Sequence, residues 1–243
     1  MKRHIPNFIT SLNLASGFVA ILYAATGELV TASWLILAAM IFDFFDGFSA
    51  RLLNAYSETG KELDSLADVV SFGVAPAVII YMLLGNGTGL IDRGIHDSGS
   101  LKRVLILISP ALMPVCAALR LAIFNIDETQ KTSFKGLPTP ANALAVISVV
   151  IAGHYSDLSI ITSFTDSKLL LLIFTVILSL LMVSRIPLLS LKTKHLRFKG
   201  NEGRYILVSM VVLTLVMLGT GAAPLIIPIY ITASLISMLF KPV

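Results

Sequence analysis

Four aspartates crowd one short stretch of this chain. Asp43, Asp46, Asp64 and Asp68 fall within 26 residues, although the whole sequence holds only 14 acidic residues. Asp43 and Asp46 are three residues apart and Asp64 and Asp68 are four apart, so on helices each pair shares one face. A short connection between two such helices makes them antiparallel neighbours and brings all four carboxylates to one end. Left alone, that cluster is unfavourable. An ionised aspartate costs about 2.5–3.5 kcal/mol in mid-bilayer hydrocarbon, the acids repel one another, and the first pair sits toward a helix C-terminus whose dipole disfavours anions. Arg51 is one cation against four charges. Divalent cations would balance them: oxygen-only ligands suit Mg²⁺ or Mn²⁺, and shared carboxylates suit a pair of ions. Two ions in a carboxylate cage favour phosphoryl transfer, because they clamp the phosphate and stabilise the leaving oxygen. Gly47 and Ala50 leave room beside the acids for a nucleotide or a close helix, and Gly60 lets a phosphate approach the backbone. Two other readings share these residues: solvated acids in a loop, and the ion or proton pathway of a transporter.

The elements that position the acids are membrane spans. The chain has 243 residues, 56% hydrophobic and 13% charged, with a mean hydropathy of +0.89. A soluble fold of this size has no way to hide so much apolar surface. The apolar residues form non-alternating runs near the roughly 20 residues that a spanning helix needs, which excludes a closed barrel. The pattern predicts an all-α, polytopic integral membrane bundle of about eight transmembrane helices near 8–26, 30–52, 65–84, 103–125, 137–154, 168–190, 204–220 and 222–240, the last two able to form a re-entrant hairpin. With the N-terminus inside, 12 of the 18 lysines and arginines lie on the cytoplasmic side and 4 outside. That asymmetry places both termini and the acid-bearing loop in the cytoplasm. The net charge of +4 fits basic loops at an anionic leaflet rather than nucleic acid. Cys116 sits in an apolar run as a packing residue. The histidines are scattered without metal-ligand spacing. No cleavable signal peptide or second domain is evident, so 1–243 reads as one domain.

The acidic segment, from Asp43 through Asp46-Gly47, Ala50-Arg51 and Gly60 to Asp64 and Asp68, completes the pattern D-x2-D-G-x2-A-R-x8-G-x3-D-x3-D. Its eight fixed positions resemble the signature of the CDP-alcohol phosphatidyltransferases, and none departs from it. The resemblance implies that Asp43, Asp46 and Asp64 hold two divalent metals. It implies that Asp68 is the base for the acceptor hydroxyl and a further possible ligand, and that Gly47, Ala50, Arg51 and Gly60 line a CDP-lipid site. Pro6-Asn7-Phe8-Ile9-Thr10 with Asn13 is similar to the family's N-terminal element, which enters the nucleotide site. Ser71 to Ala77, Leu119-Arg120-Leu121-Ala122 with Phe124-Asn125, Phe134 to Pro140, and Leu181 to Arg185 with Lys192 look like the phosphatidylserine synthase branch. Ile123 departs from that branch's usual arginine. The resemblance covers about the first 200 residues and leaves an extra C-terminal hairpin near 204–240. It implies CDP-diacylglycerol and L-serine as substrates and a homodimer, and the charge asymmetry sets the active site facing the cytoplasm from the cytoplasmic membrane.

Several polar residues keep two readings. Asn7, Thr10 and Asn13 share a helix face and serve either the ligand or helix association. Arg120 and Arg185 either snorkel or hold a carboxylate or phosphate. Serine's charged groups need partners, for which Arg120, Asn125 and Lys135 are candidates. Lys192 belongs to a basic run that also suits an inside loop near anionic lipid. Pro76 is expected to kink its span. A sister enzyme using glycerol 3-phosphate or an inositol would share the metal motif. A cation transporter would share the acids but has no need for the intervening glycines and arginine.

Overall fold

The computed structural model describes residues 4–85, 101–127, 134–188 and 202–239. Lys192 lies outside them. Two long helices open the chain, α1 (His4–Ala25) and α2 (Leu29–Leu52), and they pack along their length. Small residues are buried along both: Gly17, Ala20 and Ala24 on α1 and Ala32, Ser33 and Ala39 on α2. Small side chains let backbones approach closely, which matters where lipid is as apolar as the helix partner.

The turn after α2 decides where the acids go. Asn54 takes the left-handed conformation (φ 48). Its N–H donates to the carbonyl of Arg51, while Ala55 N–H donates to that of Ala50. This is a Schellman closure, which satisfies the last carbonyls of a helix and reverses the chain. Helix α3 (Glu58–Asp68) then starts at once, with the Ser57 hydroxyl accepting from Gly60 N–H as a helix cap.

Directly after Asp68 the helix widens into a π-helical turn (Val69–Val74) and continues as α4 (Ala75–Gly85). Pro76 explains part of this break: it has no N–H to return to the carbonyl four residues earlier. That carbonyl, of Phe72, accepts instead from the Asn142 side-chain amide at 3.1 Å. The expected proline distortion is thus a π-turn whose freed carbonyl is repaired from another helix.

Helix α5 (Leu101–Ile108) breaks at Pro110 in a 3-10 turn (Ser109–Ala111) before α6 (Leu112–Ile126). A two-residue ribbon pairs β1 (Phe134–Lys135) antiparallel with β2 (Pro187–Leu188). Between the strands lie α7 (Thr139–Tyr155), α8 (Ser159–Asp166) and α9 (Lys168–Val183). The span expected to reach residue 190 therefore ends at Val183, because the chain leaves the helix to enter β2. At Gly136, φ is +76 and an added Cβ would lie 2.6–3.0 Å from the carbonyl oxygens of Leu181, Met182 and Ser184. Glycine alone permits that approach, and it seats Lys135 against the end of α9. The C-terminal helices α10 (Glu202–Leu218) and α11 (Ile226–Leu239) pack on each other across a 3-10 turn (Gly219–Leu225).

Five described stretches are long and apolar enough to cross a membrane: His4–Ala25, Leu29–Leu52, Glu58–Gly85, Val104–Ile126 and Tyr205–Ile236. Helices α8 and α9, bent by 84°, make a sixth if taken as one span. The chain is a polytopic helical membrane protein. Its core centres on Phe72, Ile36, Ile79, Met113 and Ile147, all fully buried, where the π-turn meets α1, α6 and α7.

A Cβ on Gly17 would collide with Ser71 of the π-turn. Overpacking of this kind costs about 1–3 kcal/mol. Gly17→Val is therefore expected to lower the unfolding temperature in detergent, while Ala15→Val, on the exposed face of α1, leaves it near the parent value. Equal melting of the two variants would show that the α1–π-turn contact is not close.

Candidate active site

The Schellman-closed hairpin sets the ends of α2 and α3 side by side. Carboxylate oxygens of Asp43, Asp64 and Asp68 then lie within 4.8 Å of one another. Asp46 and Asp68 are buried, and Asp43 and Asp64 are partly so. Asp46 Oδ2 and Asp64 Oδ1 are enclosed and make no hydrogen bond among the described residues. The one ion pair among those residues is Lys135 with Asp127, so no lysine or arginine there pairs with the cluster. Enclosed carboxylate oxygens without protein donors are what a hard divalent cation takes as ligands, and the set fits such ions.

Helix α1 supplies the polar buttress. Asn13, fully buried, donates from Nδ2 to Asp68 Oδ1 at 3.4 Å. Its backbone carbonyl accepts from the Ser71 hydroxyl at 3.0 Å. Asn13 therefore ties Asp68 and the π-turn to α1. Thr10 is buried one turn earlier and donates to the Pro6 carbonyl.

A cavity of about 190 Å³ opens beside the acids. Asn7, Thr10, Gly47, Ala50 and Gly60 line it together with Asp46 and Asp64. A Cβ on Gly47 would meet nothing within 4 Å, whereas one on Gly60 would lie 2.9 Å from Asn7 Oδ1 and from Ser57 Oγ. Gly47 thus keeps the cavity open and Gly60 allows the α1–α3 approach. Arg51 lies exposed in the last turn of α2 and is not part of this lining. Tyr56, Ser57 and Lys61 also line it and escaped the sequence reading. They occupy the variable positions between the fixed arginine and the last two aspartates, where spacing marks no residue.

A second cavity, of about 320 Å³, is lined by Arg120, Asp127, Lys135, Ser184 and Arg185 with three apolar neighbours. Arg120 is 8% exposed, its Nε makes no hydrogen bond among the described residues, and it lies within electrostatic reach of Asp68 and of Tyr230 on α11. The structure thus gathers Arg120, Lys135 and Arg185 from three separate segments. Asn125 is placed elsewhere: its amide donates to the Ser65 hydroxyl at 2.9 Å and its carbonyl accepts from Lys61 Nζ, which clamps α6 to α3 between Asp64 and Asp68. Asp127 is a further residue of this cavity that the sequence left unmarked, and Ser184 belongs to the Leu181 to Arg185 segment without an assigned role.

A family model described as CDP-alcohol phosphatidyltransferase matches residues 3–183. A relative from Helicobacter pylori named CDP-diacylglycerol–serine O-phosphatidyltransferase is 37% identical over 206 residues, covering 84% of this chain and 77% of the relative. One of the same name from Bacillus subtilis is 34% identical over 202 residues, covering 83% and 98%. An archaetidylserine synthase from Methanothermobacter thermautotrophicus is 37% identical over 157 residues, covering 64% and 61%.

Asp43→Asn and Asp64→Asn each remove one charged oxygen from a site with few substitutes. Both are expected to weaken Mn²⁺ binding strongly, measured by paramagnetic resonance on the purified protein. Binding close to the parent's in either variant removes that residue from the metal site.

Proposed function

The chain belongs to the CDP-alcohol phosphatidyltransferase family, and on that premise we propose that it transfers the phosphatidyl group of CDP-diacylglycerol to L-serine, giving phosphatidylserine and CMP. The observation that carries the reading is the aspartate cluster, converged from two helices beside a cavity kept open by Gly47. The named serine transferases among its relatives support the acceptor.

Asp43, Asp46 and Asp64, with Asp68 as a further ligand, would hold two divalent cations, Mg²⁺ or Mn²⁺. When bound, these would neutralise the carboxylates and stabilise charge on the transferring phosphate and leaving oxygen. The chain's own residues do the rest. Asn7 and Thr10 on α1, with Gly47, Ala50 and Gly60, line the CDP-lipid site, with Asn13 and Arg51 as further residues of it outside the cavity lining, while the acyl chains remain in the bilayer. Asp68, oriented by Asn13, accepts the proton of the serine hydroxyl. That oxygen attacks the β-phosphorus, the anhydride bond breaks, and CMP departs. Arg120, Lys135 and Arg185 surround an acceptor cavity suited to an anionic group, with Lys192 as a further basic residue nearby in sequence. Asn125 acts at this site by holding α6 against α3.

The same reading puts both termini and the active site on the cytoplasmic side of the cytoplasmic membrane, with about eight transmembrane helices. Support comes from the lysine and arginine asymmetry. The catalytic core extends to about residue 200, the α10–α11 hairpin is an addition to it, and the enzyme works as a homodimer.

Purified protein given CDP-diacylglycerol and a divalent cation is expected to release CMP and form lipid product with L-serine, and not with glycerol 3-phosphate or inositol. Product with another alcohol in place of serine would overturn the acceptor assignment. Asp68→Asn keeps shape and one oxygen but takes no proton. General-base assistance is worth about 10²–10⁴-fold, so the loss should fall on turnover rather than lipid affinity. Normal serine transfer by this variant would leave Asp68 a structural residue. For topology, a reporter after Val243 should read cytoplasmic and one within 86–100 external. Inversion of both would separate the site from cytosolic serine.

A further inference from the structure

The second cavity carries mixed charge. Arg120, Lys135 and Arg185 bring three cations to its lining, and Asp127 brings one carboxylate. Asp127 follows the last residue of α6 and is partly exposed. Its Oδ2 lies 3.7 Å from Lys135 Nζ, with the two side chains 26% and 39% exposed. A half-exposed ion pair of this kind is worth little, about 0–1 kcal/mol. Arg120, by contrast, is buried with Nε unbonded among the described residues, which leaves one N–H open to an anionic ligand group.

We propose that Asp127 receives the ammonium group of the acceptor, with Arg120 and Arg185 facing its carboxylate, so that the cavity selects a zwitterionic amino alcohol. The inference rests on the serine reading and deepens it. An acceptor carrying a phosphate places negative charge against Asp127 and is disfavoured. A neutral polyol gains nothing from the arginines. Selectivity thus comes from both attraction and repulsion. The site lies one residue beyond the apolar stretch Val104–Ile126, where a water-soluble acceptor can enter.

The test is the ratio of kcat/KM for L-serine to that for 3-hydroxypropanoate, which keeps the hydroxyl and carboxylate but lacks the ammonium. Because both values come from one preparation, any misfolded fraction cancels. A charge-assisted hydrogen bond corresponds to about 10–100-fold. Asp127→Asn is expected to lower the ratio by about that factor, mainly through a higher KM for serine, while Asp127→Glu retains most of it. Thermal stabilisation of the purified protein by each compound reads the same preference without turnover and serves if Asp127→Asn is too slow to assay. An unchanged preference in Asp127→Asn overturns this inference alone and leaves the carboxylate as a partner of Lys135. Failure of the unmodified protein to use serine overturns the function reading, and this inference with it.

Discussion

Mutual repulsion of enclosed carboxylates is the constraint on which the structure turns. Two like charges no more than 4.8 Å apart repel by at least about 3 kcal/mol at an effective dielectric of about 20. Three mutual neighbours multiply that cost, and Asp46 adds to it. A fold retains such a group only if something opposes the repulsion when the protein works. Lys61 lines the adjoining cavity and Arg120 lies within electrostatic reach of Asp68, but neither forms an ion pair with the acids among the described residues, which leaves a bound cation as the fitting counter-charge. The arrangement makes sense as a cation cage beside a phosphate site.

Holding the cage requires rigidity on every side of it. The Schellman closure at Asn54 sets the register of α2 against α3. Asn13 reaches Asp68 from α1, Asn125 reaches Ser65 from α6, and Asn142 reaches the Phe72 carbonyl from α7. Three asparagines on three helices therefore fix the acid-bearing helix and the π-turn after it. Side-chain amides suit this task, because they bond strongly without adding charge to an already charged site. The π-turn also fits a pattern in which such irregularities accompany functional residues.

The two cavities flank one carboxylate centre. The one lined by Gly47 and Gly60 touches Asp46 and Asp64. The other is lined by Arg120, which feels the charge of Asp68. On the proposed reading, donor and acceptor approach a shared carboxylate centre from separate compartments, one narrow and formed by close helix approach, the other basic and opening near a helix end. Gly136 matters to the second because its left-handed backbone seats Lys135 against the carbonyls that end α9.

Much of this was legible without coordinates. The membrane class follows from apolar runs. The meeting of Asp43, Asp64 and Asp68 follows from residues three and four apart on two helices joined by a short turn. The family follows from eight fixed positions. Helix periodicity and local turns are properties of contiguous sequence, so they can be read directly. The tertiary structure alone decided that Asn13 orients Asp68, that Asn125 clamps helices instead of lining a cavity, that Pro76 yields a π-turn repaired by Asn142, and that Asp127 joins the basic cavity. The partners in the three asparagine contacts lie 55 to 70 residues apart. Which distant helix face meets which is set by close packing of small residues such as Gly17 and by irregular turns, and no spacing along the chain encodes it.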